Sequence, residues 1–471
     1  MTLLYQLASE GTMFILVLAL FAASAMGDKF PSPVAKWLPA CSGIVFAISL
    51  LSLCASGLLF EGAYRVDLLS QFFKLAITFG FCFVVVNTLK QPTLENAQKS
   101  DYYLFMGLSA WGLMLLASTV ELVTLYLALE LSSYALYVLI PIRNRTKESA
   151  EAGAKYILFG AAATALSLYG LSHIIAAQHT TYIAELMSKD WSFASNPGAV
   201  IGMALFLCGM FYKLALFPFH FWCPDVYQGA SNETAAFVAT LPKLGAVIIL
   251  IRLAACLKPG LELTNCLAAL ALISMTFGNL CALAQKDLKR LLGFSSVAHA
   301  GYIVVGLVSG TPKGMAAAAF YALAYVIMNM LCFWVVSRVA SDGRNLELKD
   351  LNGLYKRNPY LAFSLAVGAF ALVGLPPTIG FMGKLFLLTS AWNHGYNWLI
   401  IGLVVNSAIA IYYYLSLVRH AYTEEDGPAI QPDNSLFSSA GAMVLATLAL
   451  ILGIVPAFVF DIAVKAGEAM M

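Results

Sequence analysis

Long apolar runs, separated by short polar stretches, make up most of this chain. A helix that crosses a bilayer core of about 30 Å needs about 20 apolar residues. By that criterion the sequence predicts about 14 membrane spans and an all-α, polytopic membrane protein. The predicted spans cover residues 10–27, 37–60, 66–89, 101–119, 120–141, 151–177, 197–217, 233–257, 262–284, 289–310, 314–341, 359–389, 395–418 and 437–463.

The composition agrees with a surface that faces lipid. Of the 471 residues, 61% are hydrophobic and 11% are charged, whereas soluble domains are about a quarter charged. The net charge of +2 is small and basic residues are scattered in short loops, so no nucleic-acid partner is predicted. The apolar stretch Met13–Met26 follows Glu10 rather than a basic segment, and we interpret it as the first span, not a removed signal peptide.

The nine cysteines are spread through apolar runs, without a CxxC pair or a histidine at metal-ligand spacing. We interpret them as small hydrophobic residues inside helices. The sequence therefore predicts no haem, iron–sulfur cluster, zinc or other cofactor in this chain.

Basic residues are concentrated in loops on one side of the predicted spans. The richer loops contain Lys29, Lys36, Arg143, Arg145, Lys147, Lys286, Lys289, Arg290, Lys349, Lys356 and Arg357. The opposite loops hold only the single basic residues Arg65, Lys189, Lys258 and Lys313. Because the richer side is normally cytoplasmic, we expect both termini on the periplasmic side of a bacterial inner membrane.

Four ionisable residues lie deep within apolar spans: Glu130, Lys213, Lys243 and Lys384. A charge at the bilayer centre costs about 3 kcal/mol on the insertion scale, so the four together cost about 12 kcal/mol. One interpretation is a structural ion pair between Glu130 and Lys213. The interpretation that also explains Lys243 and Lys384 is a row of protonatable groups along a hydrated path at the membrane midplane. Burial favours release of a proton from lysine, and a nearby carboxylate favours its retention.

Two of these lysines lie beside prolines that should interrupt a helix. Pro218 follows Lys213, and Pro376 and Pro377 precede Lys384. A proline within a span removes a backbone donor, and a broken helix is tolerated in a membrane where it lines a wet cavity. A simple kink would explain either site alone. Two breaks, each beside a lysine and five spans apart, predict two five-helix repeats with discontinuous helices seven and twelve.

Weaker candidates have both a functional and a structural interpretation. Lys155 could relay protons from the cytoplasmic side to Glu130, or extend its amine to the interface. His299 could join the proton paths of the two repeats, or make ordinary hydrogen bonds within a helix. His220 could take part in the path or cap the broken helix.

Other polar positions are predicted to be structural. Asp225 and Glu233 are expected in a loop beside the broken helix. Tyr412, Tyr413 and Tyr414 are expected to form an aromatic interface belt or a packing surface.

Five sequence stretches together resemble the antiporter-like membrane subunits of complex I, the NADH:quinone oxidoreductase. In chain order they are LSSYALYVL, EAGAKYILFG, FYKLALFPFHFWCPDVYQGASNETAAFVATLPKLGAV, KDLKRLLGFSSVAHAGY and LVGLPPTIGFMGKLFLL. The form PDVYQGA, and a lysine rather than a glutamate at position 384, are similar to the subunit N (subunit 2) family. The stretch SNETAAF departs from the proline-bearing, uncharged form that the family more often has, which leaves the local loop geometry and any role of Glu233 open.

The resemblance implies a single antiporter-like domain over residues 1–471 with 14 helices and inverted repeats. Its parts would be helices one to three (1–100), repeat one (101–257), repeat two (262–418) and helix fourteen (437–463). The family's functional glutamate would be Glu130, and its functional lysines would be Lys155, Lys213, Lys243 and Lys384.

The implied function is proton translocation as a subunit of a respiratory or photosynthetic complex I-type oxidoreductase. NAD, FMN, iron–sulfur clusters and quinone would be bound by partner subunits. The partners would be neighbouring antiporter-like and small helical membrane subunits, together with the lipid bilayer. One alternative is a subunit of a multisubunit cation/proton antiporter without redox coupling. Another is a non-pumping scaffold in a hydrogenase- or ferredoxin-linked relative.

Overall fold

The protein is described from a computed structural model that covers residues 2–26, 31–143, 146–254, 256, 258–424 and 431–468. The loop residues Lys29 and Arg145 lie outside these ranges. The helices are α1 Thr2–Gln6, α2 Ala8–Ala25, α3 Pro31–Leu51, α4 Leu68–Thr88, α5 Lys99–Ser118, α6 Leu122–Leu139, α7 Lys147–Gln178, α8 Ile183–Leu186, α9 Pro197–Leu214, α10 Trp222–Gly229, α11 Asn232–Ala254, α12 Glu262–Leu283, α13 Leu288–Val308, α14 Pro312–Val339, α15 Leu354–Arg357, α16 Pro359–Val373, α17 Ile379–Ala391, α18 Asn397–Tyr422, α19 Leu436–Ile454 and α20 Ala457–Glu468. Two short strands, β1 Gly57–Leu59 and β2 Tyr64–Val66, form an antiparallel hairpin.

The predicted all-α membrane architecture is confirmed. Spans one to six are α2 to α7, span seven is α9 with α10, and span eight is α11. Spans nine to eleven are α12 to α14, span twelve is α16 with α17, and the last two spans are α18 and α19. Within the described ranges, 11 helices are long and apolar enough to cross a membrane, and residues 36–51, α16 and α17 are shorter apolar helices.

Helices α11, α13 and α14 form the centre of the bundle. Every residue of α11 is buried, and 94% of the most apolar stretch of both α13 and α14 is buried. The corresponding values for α2 and α19 are 39% and 33%, because these helices turn one face to the surroundings. A helix that is apolar on all sides is expected in such a central position. Polar residues on the three central helices are therefore shielded by surrounding helices.

Both helix breaks occur where the prolines predict them. Helix α9 ends at Leu214, Ala215 adopts a left-handed conformation, and α10 begins at Trp222. Helix α16 ends before Gly374, whose φ of 87° is readily adopted only by glycine, and α17 begins at Ile379. Each break falls in the fourth helix of its predicted group of five, as a repeat would require. The two-repeat division itself stays a prediction.

The last predicted span is wrong in extent. It was expected as one helix over 437–463, but α19 ends at Ile454 and the separate helix α20 begins at Ala457. Pro456, which has no amide hydrogen to donate, lies between them. Helix α20 folds back onto the bundle, where the Phe460 ring stacks on Phe386 with centroids 3.8 Å apart.

Candidate functional site: a row of buried lysines and tyrosines

The four predicted charged residues all lie inside the bundle. Glu130 is on α6, Lys213 is in the last turn of α9, Lys243 is near the middle of α11, and Lys384 is on α17. All four side chains are buried. The proline breaks explain two of these positions, because Lys213 ends the first half of one broken helix and Lys384 lies in the second half of the other.

The Lys213 amine is surrounded by aromatic rings. Its Nζ donates to the Tyr156 hydroxyl at 3.3 Å. It also lies 5.5 Å from the ring centroid of Tyr156 and 5.8 Å from that of Tyr212. Cation–π attraction at such distances stabilises an ammonium group. The C-terminal end of α9 adds a favourable helix dipole.

Glu130 and Lys213 do not form an ion pair in this structure. Instead, Glu130 Oε1 accepts a hydrogen bond from the Thr164 hydroxyl at 2.9 Å, and Oε2 has no protein partner among the described residues. Thr164 and Tyr156, the partner of Lys213, are both on α7 and eight residues apart. Their backbone positions are therefore about 12 Å apart along the helix axis. Helix α7 thus holds the carboxylate and the amine at separate places.

Lys243 is connected to a serine with three neighbours. Its Nζ donates to Ser296 Oγ on α13 and lies 5.3 Å from the Tyr325 ring centroid. The same Ser296 oxygen is 2.5 Å from the Tyr325 hydroxyl and 3.1 Å from the Tyr227 hydroxyl. Ser296 therefore joins the broken helix at α10 to Lys243 on α11 and to Tyr325 on α14.

His299 lies on α13, three residues after Ser296, and its ring packs against Tyr302, Tyr321 and Tyr325. Its Nδ1 is 2.8 Å from the Tyr321 hydroxyl and its Nε2 is 3.1 Å from the Tyr414 hydroxyl. The Tyr414 hydroxyl is also 2.6 Å from Ser295 Oγ. Both ring nitrogens thus have a partner through which a proton could pass.

Lys384 binds the open end of the other broken helix. Its Nζ donates to the carbonyl oxygens of Val373 at 2.8 Å and Leu372 at 3.3 Å. The last carbonyls of a helix have no partner within that helix, and the break before α17 leaves these two for the lysine. Nζ also lies 4.5 Å from the centroid of Tyr302, whose hydroxyl accepts from Asn279 Nδ2 at 3.1 Å.

The sequence interpretation assigned no tyrosine to this row, although six of them line it. They are Tyr156, Tyr227, Tyr302, Tyr321, Tyr325 and Tyr414, and all are buried. A tyrosine inside an apolar helix gives one signal, since a buried hydroxyl needs a hydrogen-bond partner. Of the two alternatives for 412–414, a packing surface agrees with Tyr413 and Tyr414, which are buried, and Tyr413 is hydrogen-bonded to Asn279. Tyr412 is 71% exposed, and its place in an aromatic belt stays a prediction.

Lys155 lies in the third turn of α7 and does not contact Glu130. Its Nζ is 2.5 Å from Asp225 Oδ2 and 2.5 Å from Glu151 Oε1, with about a third of the side chain exposed. Asp225 also pairs with Arg290 at 2.5 Å. The loop prediction for Asp225 is wrong because the residue lies within α10. The relay role of Lys155 stays a prediction.

The two remaining candidates are buried away from the lysine row. His220 stacks on Phe217, with centroids 5.4 Å apart, and its Nδ1 has no partner among the described residues. Glu233 was also predicted in a loop, but it lies in the first turn of α11 and is buried. Helix α11 begins at Asn232, one residue before the start of the predicted span, so Glu233 is helical. No group of three or more potential metal ligands occurs in the described ranges, and the absence of a cofactor stays a prediction.

Comparison with known proteins identifies the family. The family described as NADH:quinone oxidoreductase/Mrp antiporter, transmembrane, matches residues 119–410. NADH-quinone oxidoreductase subunit N 2 of Solidesulfovibrio magneticus is 59% identical over 98% of this chain and 98% of its own length. The protein of the same name from Opitutus terrae is 46% identical over 89% of this chain and 88% of its own length.

Solved structures agree with this match. A chain of respiratory complex I from Thermus thermophilus, solved with bound aureothin, is 32% identical, has a TM-score of 0.85, and matches over 97% of this chain and 99% of that one. A chain of the Mrp complex from Dietzia sp. has a TM-score of 0.89 at 18% identity, over 100% of this chain and 98% of that one, and supports the fold alone. The chain therefore belongs to the NADH:quinone oxidoreductase/Mrp antiporter family of transmembrane subunits. Within that family the predicted resemblance to subunit N of complex I is confirmed, and the relatives' names disfavour the antiporter alternative.

Proposed function

We propose that this chain is a proton-translocating membrane subunit of a complex I-type NADH:quinone oxidoreductase. The observation that carries the proposal is that Lys213, Lys243 and Lys384 are buried in a bundle of apolar helices, and that none of the three is paired with a carboxylate in the part of the chain that the structure describes. A structural ion pair would not leave three buried amines without counter-ions. NAD, FMN, iron–sulfur clusters and quinone are assigned to partner subunits, with which the exposed apolar helices of this chain assemble.

The proposed path follows the hydroxyl groups between the lysines. From Lys243 it continues through Ser296 and the Tyr325 hydroxyl toward His299. From His299 it continues past Tyr321 toward Lys384. Water is expected to bridge the gaps that the side chains do not span. Protons are taken up near Lys243 from the cytoplasmic side and released outward past Lys384.

Glu130 acts as the switch for Lys213. Two opposite unit charges 4 Å apart attract each other by about 4 kcal/mol at an effective dielectric constant of 20. If Glu130 leaves Thr164 and approaches Lys213, that attraction holds the proton on the amine. The arrangement in this structure, with the two groups apart, corresponds to the state that lets the proton leave. Energy from quinone reduction elsewhere in the complex would drive the change between the two states.

The membrane orientation completes the proposal. Arg143 donates to the carbonyl oxygen of Gly343 at 2.8 Å, and Lys289 donates to that of Ala230 at 2.7 Å, so several basic loops meet at one face of the bundle. By the positive-inside rule that face is cytoplasmic. Both termini are then periplasmic, in a bacterial inner membrane.

The test is proton pumping by the whole complex in proteoliposomes. We expect Lys213→Ala and Glu130→Ala to abolish most of the pumping assigned to this chain while the complex still assembles. Tyr412→Phe, on the exposed surface, is the matched control and should leave the proton-to-electron ratio unchanged. A normal ratio in both alanine variants, in fully assembled complex, would contradict the proposed roles and favour a non-pumping scaffold. Copurification without flavin or iron–sulfur subunits would instead favour an antiporter.

A further inference from the structure

A buried ion pair lies outside the lysine row, between the first and third spans. Glu10 on α2 and Lys74 on α4 are in direct contact, and both are buried. The Tyr64 hydroxyl on β2 donates to Glu10 Oε1 at 2.5 Å, and Ser9 Oγ donates to Oε2 at 2.7 Å. Neither Glu10 nor Lys74 has a place in the path through Lys213, Lys243 and Lys384.

A polar stripe on α4 leads from this pair to one end of the bundle. Asp67, Gln71 and Lys74 are spaced at i, i+4 and i+7, so they lie on one face of the helix. Asp67 caps the start of α4 and accepts two hydrogen bonds from the buried Arg252, at 3.1 and 3.2 Å. Seven residues span about 10 Å of helix. Lys74 therefore lies about 10 Å below Asp67, at the start of α4.

The outer end of the stripe opens into a cavity of about 1130 Å³. Its lining includes the buried Asp67 and Arg252, together with the more exposed Arg65, Glu61 and Glu185. In the proposed orientation this cavity lies on the periplasmic side. Charged side chains on its lining would be hydrated there.

Gln71, midway along the stripe, is the observation that points to water inside it. The side chain is fully buried, and neither its amide nitrogen nor its amide oxygen has a hydrogen-bond partner in the part of the chain that the structure describes. Buried polar atoms are rarely left unpaired, and ordered water is their usual partner when protein offers none. Water at Gln71 would connect the cavity to Lys74.

We propose that Glu10, Tyr64 and Lys74 form a second proton-exchange site, which takes and releases protons on the periplasmic side through water held along the Asp67–Gln71 stripe. The acid and the base are already in contact, and the Tyr64 hydroxyl is positioned to accept or donate a proton beside them. The charged groups that face the pair are Asp67 on its own helix and Arg252 on α11. The release direction rests on the proposed function, whereas the hydration of the stripe does not.

The first arm of the test measures access of water-soluble ions to Gln71 in the assembled complex. Gln71→Cys is exposed to Ag⁺ from the periplasmic side, and the remaining free thiol is quantified after denaturation by alkylation and peptide mass spectrometry. Phe73→Cys, two residues further on and equally buried on another face of α4, is the matched control. We expect Ag⁺ to block the cysteine at 71 at least tenfold faster than the cysteine at 73. Equal protection of both would overturn the proposal.

The second arm measures the proton-to-electron ratio. Gln71→Leu removes the water-binding amide without breaking a protein hydrogen bond, and Glu10→Gln with Lys74→Met removes both charges together, so that no unpaired charge is buried. We expect both variants to assemble and to lower the ratio. An unchanged ratio in Gln71→Leu overturns the release role, and this variant decides the matter if the double variant fails to assemble. If Lys213→Ala abolishes pumping while both variants pump normally, the proposed function stands and the second site is refuted.

Discussion

The hydroxyl of Tyr325 offers the sharpest test of the proposed path, because Tyr325→Phe removes one atom and leaves the ring in place. The ring centroid lies 5.3 Å from Lys243 Nζ and 5.3 Å from the His299 ring, so both contacts should persist. The lost hydrogen bond to Ser296 is worth about 0.5–1.5 kcal/mol. Ser296 keeps Lys243 and Tyr227 as partners, so no buried polar atom is left unpaired. Assembly and thermal stability should therefore change little.

The effect on proton transfer should be much larger than the effect on stability. A positioned group that passes a proton contributes about 10²–10⁴-fold to the rate of that step. We expect the assembled Tyr325→Phe complex to oxidise NADH while its proton-to-electron ratio falls, measured with a pH-sensitive dye in proteoliposomes. Tyr103→Phe, at a buried tyrosine outside the row, is the control and should pump normally. Equal ratios in the two variants would refute the path through Tyr325.

Two further predictions concern the fold around the site. A Cβ added at Gly380 would lie 1.7 Å from the backbone oxygen of Ala371, so Gly380→Ala should separate the halves of the broken helix and destabilise the protein by about 1–3 kcal/mol or more, seen as a lower melting temperature and lost pumping. Gly43→Ala, with nothing within 4 Å of the added carbon, is the control and should be neutral or stabilising by up to about 1 kcal/mol. Asp433 lies in the loop before α19; burial alone would raise its pKa, but hydrogen bonds from Lys90 and neighbouring serines hold the pKa of this carboxyl well below its usual value. A depressed carboxyl pKa contributes stability at every pH above its unfolded value of about 3.9. Asp433→Asn should therefore lower the free energy of unfolding by about 0.2–1 kcal/mol, seen as an equally small fall in melting temperature at about pH 5 and at about pH 8. A difference that disappears between those two pH values would contradict the assignment.

The sequence predicts those features whose signal lies within one segment. Span lengths follow from runs of apolar residues, and the helix breaks follow from Pro218 and from Pro376 with Pro377. The buried lysines Lys213 and Lys384 stand out because their own spans are otherwise apolar. These predictions need no knowledge of which helices are neighbours.

Features that depend on neighbouring helices could not be predicted in this way. Tyr325 and Tyr412 look alike in sequence, and only the packing decides that one lines the row while the other is exposed. Lys74 is the seventh residue of its helix, within reach of the interface, and its partner Glu10 is 64 positions away in the chain. The separation of Glu130 from its lysine is likewise a property of how α7 packs between them.

The contact between Lys384 and the end of α16 would make the break between α16 and α17 sensitive to the protonation state of this lysine. The charged amine neutralises the negative end of that helix, and the neutral amine left after the proton departs does so far less well. Protonation of Lys384 would therefore strengthen the contact between α16 and α17, and loss of the proton would weaken it. The position of α17 relative to α16 would then depend on whether Lys384 carries a proton.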